Sequence, residues 1–202
     1  MDSSGVGLAD LAAFVPSLAL AIALAACAGI RAWLPLLLAG ALARSGHLAL
    51  GPSFQFLGSN QALALFGLAT VIEVAGDKIP SVDHALDALS TLLRPAAGAL
   101  LAASALWQIS DPLTALALGT AVGAPTALVP HAAKSALRAA STTFTAGLAN
   151  PLLSLLEDVL ALALFALAVL VPLAVVLALA LLTFYVARRR SRRLETTAVP
   201  LA

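Results

Sequence analysis

Seven residues able to carry or bind charge fall within the 22 positions from Glu73 to Arg94: Glu73, Asp77, Lys78, Asp83, His84, Asp87 and Arg94. Carboxylates grouped in this way can pass protons or hold a cation. Asp83 and Asp87, four apart, share a helical face and could bind a magnesium ion for chemistry on a phosphorylated lipid, with Lys or Arg on the phosphates. A second polar stretch runs from His131 through Lys134, Arg138, Ser141, Thr142, Thr143 and Thr145 to Asn150. Steps of three and four place His131, Lys134, Arg138, Ser141 and Thr142 on one helical face, where the cations could hold an anion and the hydroxyls line a path. Arg31, Glu157 and Asp158 stand apart, each embedded in apolar sequence.

The elements that must position these groups are unusually apolar. The chain has 202 residues, of which 61% are hydrophobic and only 10% charged, against roughly 45–50% apolar residues in soluble domains. Its mean hydropathy is +1.03. Several apolar runs approach the ~20 residues that a helix needs to cross a bilayer. Ala and Leu dominate, both good helix formers, and no ~10-residue alternation of a membrane β-barrel is present. These features predict an all-α, polytopic transmembrane bundle of about five to six segments, some broken or re-entrant. The expected organisation is a single helical domain over residues 1–187 followed by a basic, disordered, cytoplasmic tail over 188–202. The tail holds Arg188, Arg189, Arg190, Arg192 and Arg193 directly after the last apolar run, the pattern of a cytoplasmic anchor. A net charge of +1 gives no reason to expect a nucleic-acid partner. The partners expected are the lipid bilayer and, compatibly with it, further copies of the chain. No cofactor is indicated, and His84 and His131 with a single cysteine in the chain argue against a metal-redox centre. Leu24-Ala25-Ala26-Cys27 has the form of a lipidation box, but the acidic start of the chain argues for an ordinary first membrane helix instead.

Along the chain, the apolar run from Leu11 to Ala43 would make about 50 Å of helix, too long for a ~30 Å hydrocarbon core. The helix therefore either tilts strongly or breaks near Arg31, and an arginine inside the membrane demands a partner. Residues 44–60 read as a loop by composition, and 61–75 as the next apolar helix, leading into Glu73 and Asp77 on one face. Pro80 interrupts it. Ser81 to Leu93 is amphipathic, with Ser81 as a cap, and Pro95 is expected to end that helix. Ala96–Leu106 is a short apolar run, Asp111-Pro112 a turn, and Leu113–Val129 another apolar helix. Pro130 opens the second polar stretch and Pro151 closes it, before the apolar run from Leu152 to Val186.

The two polar stretches align at an offset of 56 residues, with Lys78 to Pro95 matching Lys134 to Pro151. This alignment predicts repeat units of about 61–110 and 117–170, of the kind in which carriers place a polar centre between two related halves. The first unit is acid-rich and the second offers His131, Lys134 and Arg138, so the two are expected to pair when packed together.

GIRAWLPLL at residues 29–37, Glu73 with GDKIPSVDH and RPAAGAL after it, and Lys134 with NPLLSLLED at 150–158 resemble the bacterial integral-membrane family catalogued as domain of unknown function 4126. The resemblance extends from about Ala23 to the arginine tail. It implies a small inner-membrane protein and supplies no activity.

Three readings of the polar set follow. A transporter or channel would use Arg31, Glu73, Asp77, Lys78, Asp83, Asp87, Arg94, His131, Lys134, Arg138, Thr142, Asn150, Glu157 and Asp158 as a solute or proton path. A scaffold would hold the same residues together as buried charge pairs. A phospholipid enzyme is the weakest reading, because carboxylate spacing is its whole support.

Overall fold

The computed structural model describes residues 8–77 and 80–172 and seven positions between 174 and 188, with side chains described from Phe14 onward except over 78–88. Among the described residues the chain is all-helical, with no strand. Six α-helices follow in order: α1 Leu8–Ile30, α2 Trp33–Arg44, α3 Asn60–Gly76, α4 Pro80–Ala105, α5 Pro112–Thr145 and α6 Asn150–Leu170. A 3-10 helix, Pro52–Gly58, precedes α3.

The bundle is built around α1. Its small residues Ala19, Ala21, Ala23, Ala25, Ala26 and Ala28 are buried, as are Leu20 and Leu24, so almost every face of the helix is covered. α4, α5 and α6 pack around it, and α2 continues from its end. With alanine on all sides, a central helix lets its neighbours approach closely.

The outer faces are apolar. Leu68 and Val71 on α3, Leu92 on α4 and Leu152 and Val159 on α6 are all more than 60% exposed. α5 and α6 are each long and apolar enough to cross a membrane. The 3-10 helix and α3, bent by 60° at their junction, form a third such segment if taken as one span. Phe14–Ile30, Trp33–Arg44 and Leu89–Ala105 are shorter apolar helices. The segments expected from the sequence are thus present in part as half-length pieces.

The prolines behave differently from expectation. Pro95 does not end a helix: α4 runs through it to Ala105. α5 likewise continues through Pro125 and Pro130 for 34 residues, so the helix does not break where the polar stretch begins at Pro130. Each proline removes one backbone hydrogen bond. Ala97, Leu101, Ala102 and Ala103 on α4 and Ala115 and Ala127 on α5 are buried in the packed centre, and that packing holds both helices across the interruption. The break falls instead at 146–149, where Ala146 and Gly147 take positive φ, and Pro151 lies in the first turn of α6. Asp111 is the N-cap of α5: its carboxylate accepts from the Thr114 hydroxyl at 2.6 Å and the Thr114 amide at 2.7 Å, which lowers its pKa. Residues 44–60 are less open than their composition suggests. Leu48, Leu50, Phe54 and Leu57 are buried, and Ser59 caps α3 by accepting from the Ala62 amide. Helix α4 starts at Pro80, so Ser81 lies inside it and is not its cap.

Candidate functional site

The chain breaks between α1 and α2 at Arg31-Ala32. Pro35 supplies the reason, since it cannot donate to the Arg31 carbonyl and its ring crowds that carbonyl in a continuous helix. The break frees backbone groups in the middle of the bundle, and side chains from other helices satisfy them. Glu73, at the end of α3, accepts from the Ala32 amide at 3.0 Å and the Trp33 amide at 3.3 Å. Its carboxylate thus caps the start of α2, where the helix dipole favours a negative charge. Because Trp33 donates to Glu73, the carbonyl of Gly29 loses its donor within the helix. Arg94 of α4 donates to that carbonyl at 3.2 Å. An anion sits at the N-terminal end of one half-helix and a cation at the C-terminal end of the other, with Arg94 and Glu73 3.8 Å apart.

Arg31 itself is fully buried. It pairs with Asp77, lies 2.7 Å from Asp158, and donates to the Ser154 hydroxyl at 3.1 Å and the Ser154 carbonyl at 3.3 Å. Asp77 is the hub. The oxygen that accepts from Arg31 also accepts from Lys134 Nζ at 3.2 Å and from Arg138 Nη2 at 3.0 Å. Glu157 closes the ring: Lys134 Nζ lies 2.9 Å from it, and Arg138 donates from Nε at 3.0 Å and from Nη2 at 2.8 Å.

The second part of the site lies around Arg94. Its guanidinium donates to His131 Nδ1 at 3.0 Å, so that nitrogen is the unprotonated one, and Nε2 faces the Thr91 hydroxyl at 3.4 Å. Among the described residues, carboxylates Glu73, Asp77, Glu157 and Asp158 thus face the cations Arg31, Arg94, Lys134 and Arg138, four charges of each sign. These eight charges balance and tie α2, α3, α4, α5 and α6 to the break after α1. Isolated charges at this depth would cost several kcal/mol each, and matched pairs offset that cost.

The sequence-derived candidates divide as follows. Arg31, Glu73, Asp77, Arg94, His131, Lys134, Arg138, Glu157 and Asp158 come together in this cluster. Thr142 and Asn150 do not. Thr142 is exposed beyond the buried end of α5 and accepts from the Asn150 side chain at 3.3 Å, tying α5 to α6 across the turn. The helical face that buries His131, Lys134 and Arg138 is left behind at Ser141, which is only half-buried. Lys78 and the side chains of Asp83, His84 and Asp87 lie outside the described residues. Among the described residues no three His, Cys, Asp or Glu side chains are placed to share a metal ion. Cys27 is buried within α1, its thiol donating to the Ala23 carbonyl at 3.2 Å.

Two contributors were missed by reading the sequence. Ser154 stands three and four positions before Glu157 and Asp158, on the face of α6 that meets Arg31, and that spacing was the available signal. Gly119 and Gly123, four apart on α5, form a small-residue stripe that brings α4 against α5. A Cβ at Gly123 would stand 2.3 Å from the Gly98 carbonyl oxygen.

No curated protein and no solved structure gives a significant match to the chain. A family model does match, over residues 18–192, a range that takes in all of the cluster. The chain belongs to the family described as a domain of unknown function, DUF4126.

Proposed function

We propose that this chain is a bacterial inner-membrane protein that moves a small solute or ion past the cluster around Arg31 and Asp77, with its arginine-rich tail in the cytoplasm. The observation that carries the reading is the broken helix. Non-helical backbone at membrane depth is tolerated where it is enclosed by protein or lines a cavity, and carriers use the ends of half-helices to hold charged substrates and coupling ions. Here both free ends are held by charged side chains, Glu73 and Arg94, that a charged solute or ion can displace. Asp77 adds an oxygen shared among three cations, a geometry in which one partner can leave while the others still balance the carboxylate.

The ion pairs among the described charges of the cluster favour a second reading, a scaffold locked by buried ion pairs. Flux separates the two. Purified protein in liposomes is expected to pass protons or a small ion above protein-free vesicles. Glu73→Gln, which keeps the shape of the side chain and one accepting oxygen, is expected to reduce that flux at least tenfold while the protein stays folded. Absence of flux for every ion tested, with the variant merely less stable, would leave the scaffold reading.

A further inference from the structure

A cavity of about 160 Å³ lies in the angle between α2, α3 and α4. Its walls are Trp33, Ala69 and Leu93, and its polar groups are Glu73 and Ser90. Ile72 and Leu89, each about half exposed, stand at its mouth on the apolar outer face of the bundle. The volume is that of roughly five water molecules at ~30 Å³ each. It is enough for a small head group and its first few methylenes, with the rest of a chain reaching out along the apolar face.

The polar end is selective in chemistry. Glu73 uses two of its roughly four lone-pair sites on the Ala32 and Trp33 amides, which leaves accepting capacity. Arg94, at 3.8 Å, directs hydrogen bonds to Gly29 and His131. Ser90 is 7% exposed, and its hydroxyl makes no hydrogen bond among the described residues. A carboxylate with spare acceptor sites beside the Ser90 hydroxyl suits a head group that donates several hydrogen bonds, as a primary ammonium does. An alcohol, with a single O–H to donate, satisfies this end less fully.

We infer that this cavity is a binding site for primary alkylammonium amphiphiles that enter from the apolar side between α3 and α4. The site is separate from the Asp77–Glu157 ion pairs, and its occupation does not require transport.

Trp33 in its wall supplies the readout. Trp107 is the other tryptophan, so a Trp107→Phe background isolates the Trp33 signal. The protein, in nanodiscs of zwitterionic lipid, is titrated with an ω-bromoalkylamine and with the ω-bromoalcohol of equal length, and bromine quenching of Trp33 is followed. The amine is expected to quench saturably, at a half-saturating concentration at least tenfold below that of the alcohol. Ala69→Phe, which fills the cavity, is expected to abolish the saturable component; if that variant fails to fold, Leu93→Phe serves the same purpose. Glu73→Gln is expected to bring the amine up to the concentration needed for the alcohol. Equal quenching by amine and alcohol, or saturable quenching that survives in a folded cavity-filling variant, would overturn the assignment. Because binding is read without flux, this result stands apart from the outcome of the transport assay.

Discussion

Arg31→Met is expected to destabilise the protein by about 3–5 kcal/mol, the range for breaking a buried ion pair by removing one partner. Methionine fills much of the same volume, so the loss comes from charge and hydrogen bonding, not from a cavity. Arg31 joins the α1–α2 break to both Asp77 and α6, the latter through Ser154 and Asp158. Without it the Asp77–Glu157 group keeps two cations, Lys134 and Arg138, and the balance of the cluster shifts by one negative charge. Arg31→Lys is expected to recover only part of the loss, since one ammonium cannot reach Asp77, Ser154 and Asp158 together in the geometry of the guanidinium fork. Equilibrium unfolding in mixed micelles measures the difference. A loss below about 0.5 kcal/mol for Arg31→Met, the level of an ordinary surface substitution, would show that the cluster is not what holds the helices together.

Gly123→Ala is expected to have the second largest effect, on the packing of α4 against α5. The added Cβ would stand 2.3 Å from the Gly98 carbonyl oxygen and 2.7 Å from the Ala102 Cβ. The first of these is backbone and cannot rotate away, so the helices must separate. A cost of about 1–3 kcal/mol is expected for such overpacking, seen as a lower unfolding midpoint. Gly67→Ala is the matched control: the nearest atom to its Cβ is 3.9 Å away, at the flexible end of Leu37. Up to ~1 kcal/mol of helix propensity should make that change neutral or stabilising. Similar losses for the two variants would mean that α4 and α5 are not in close backbone contact.

The helical class was legible because composition alone settles it: so apolar and Ala/Leu-rich a chain has no other regular structure available. The break at Arg31 was legible as one of two options, and Pro35 three residues into α2 is what selects it over a long tilted helix. The meeting of the acid-rich and base-rich stretches followed from the cost of isolated buried charge, and Asp77 does contact Lys134 and Arg138. The helix boundaries at Pro95 and Pro130 were not legible, because local propensity marks a proline as a stop while tertiary packing of Ala97–Ala103 and Ala127 carries the helix past it. The inward run of His131, Lys134 and Arg138 suggested that Thr142 would follow, but the buried face ends there, with Ser141 half-buried and Thr142 exposed. The 56-residue alignment equates Pro95 with Pro151, yet Pro95 lies inside α4 and Pro151 in the opening turn of α6.

The claim on which the rest depends is that α1 and α2 are separate half-helices, with the start of α2 held by Glu73 from across the bundle. Amide hydrogen exchange at Ala32 and Trp33, compared between the native chain and Glu73→Met in lipid nanodiscs, tests it directly. The capped break predicts that both amides are protected in the native chain and exchange at least tenfold faster in the variant, while amides in the middle of α5 are unchanged. In a continuous helix those two amides would donate to the Ala28 and Gly29 carbonyls and owe nothing to Glu73. Exchange at Ala32 and Trp33 that is the same in both proteins would contradict the broken helix, and with it the site built around it.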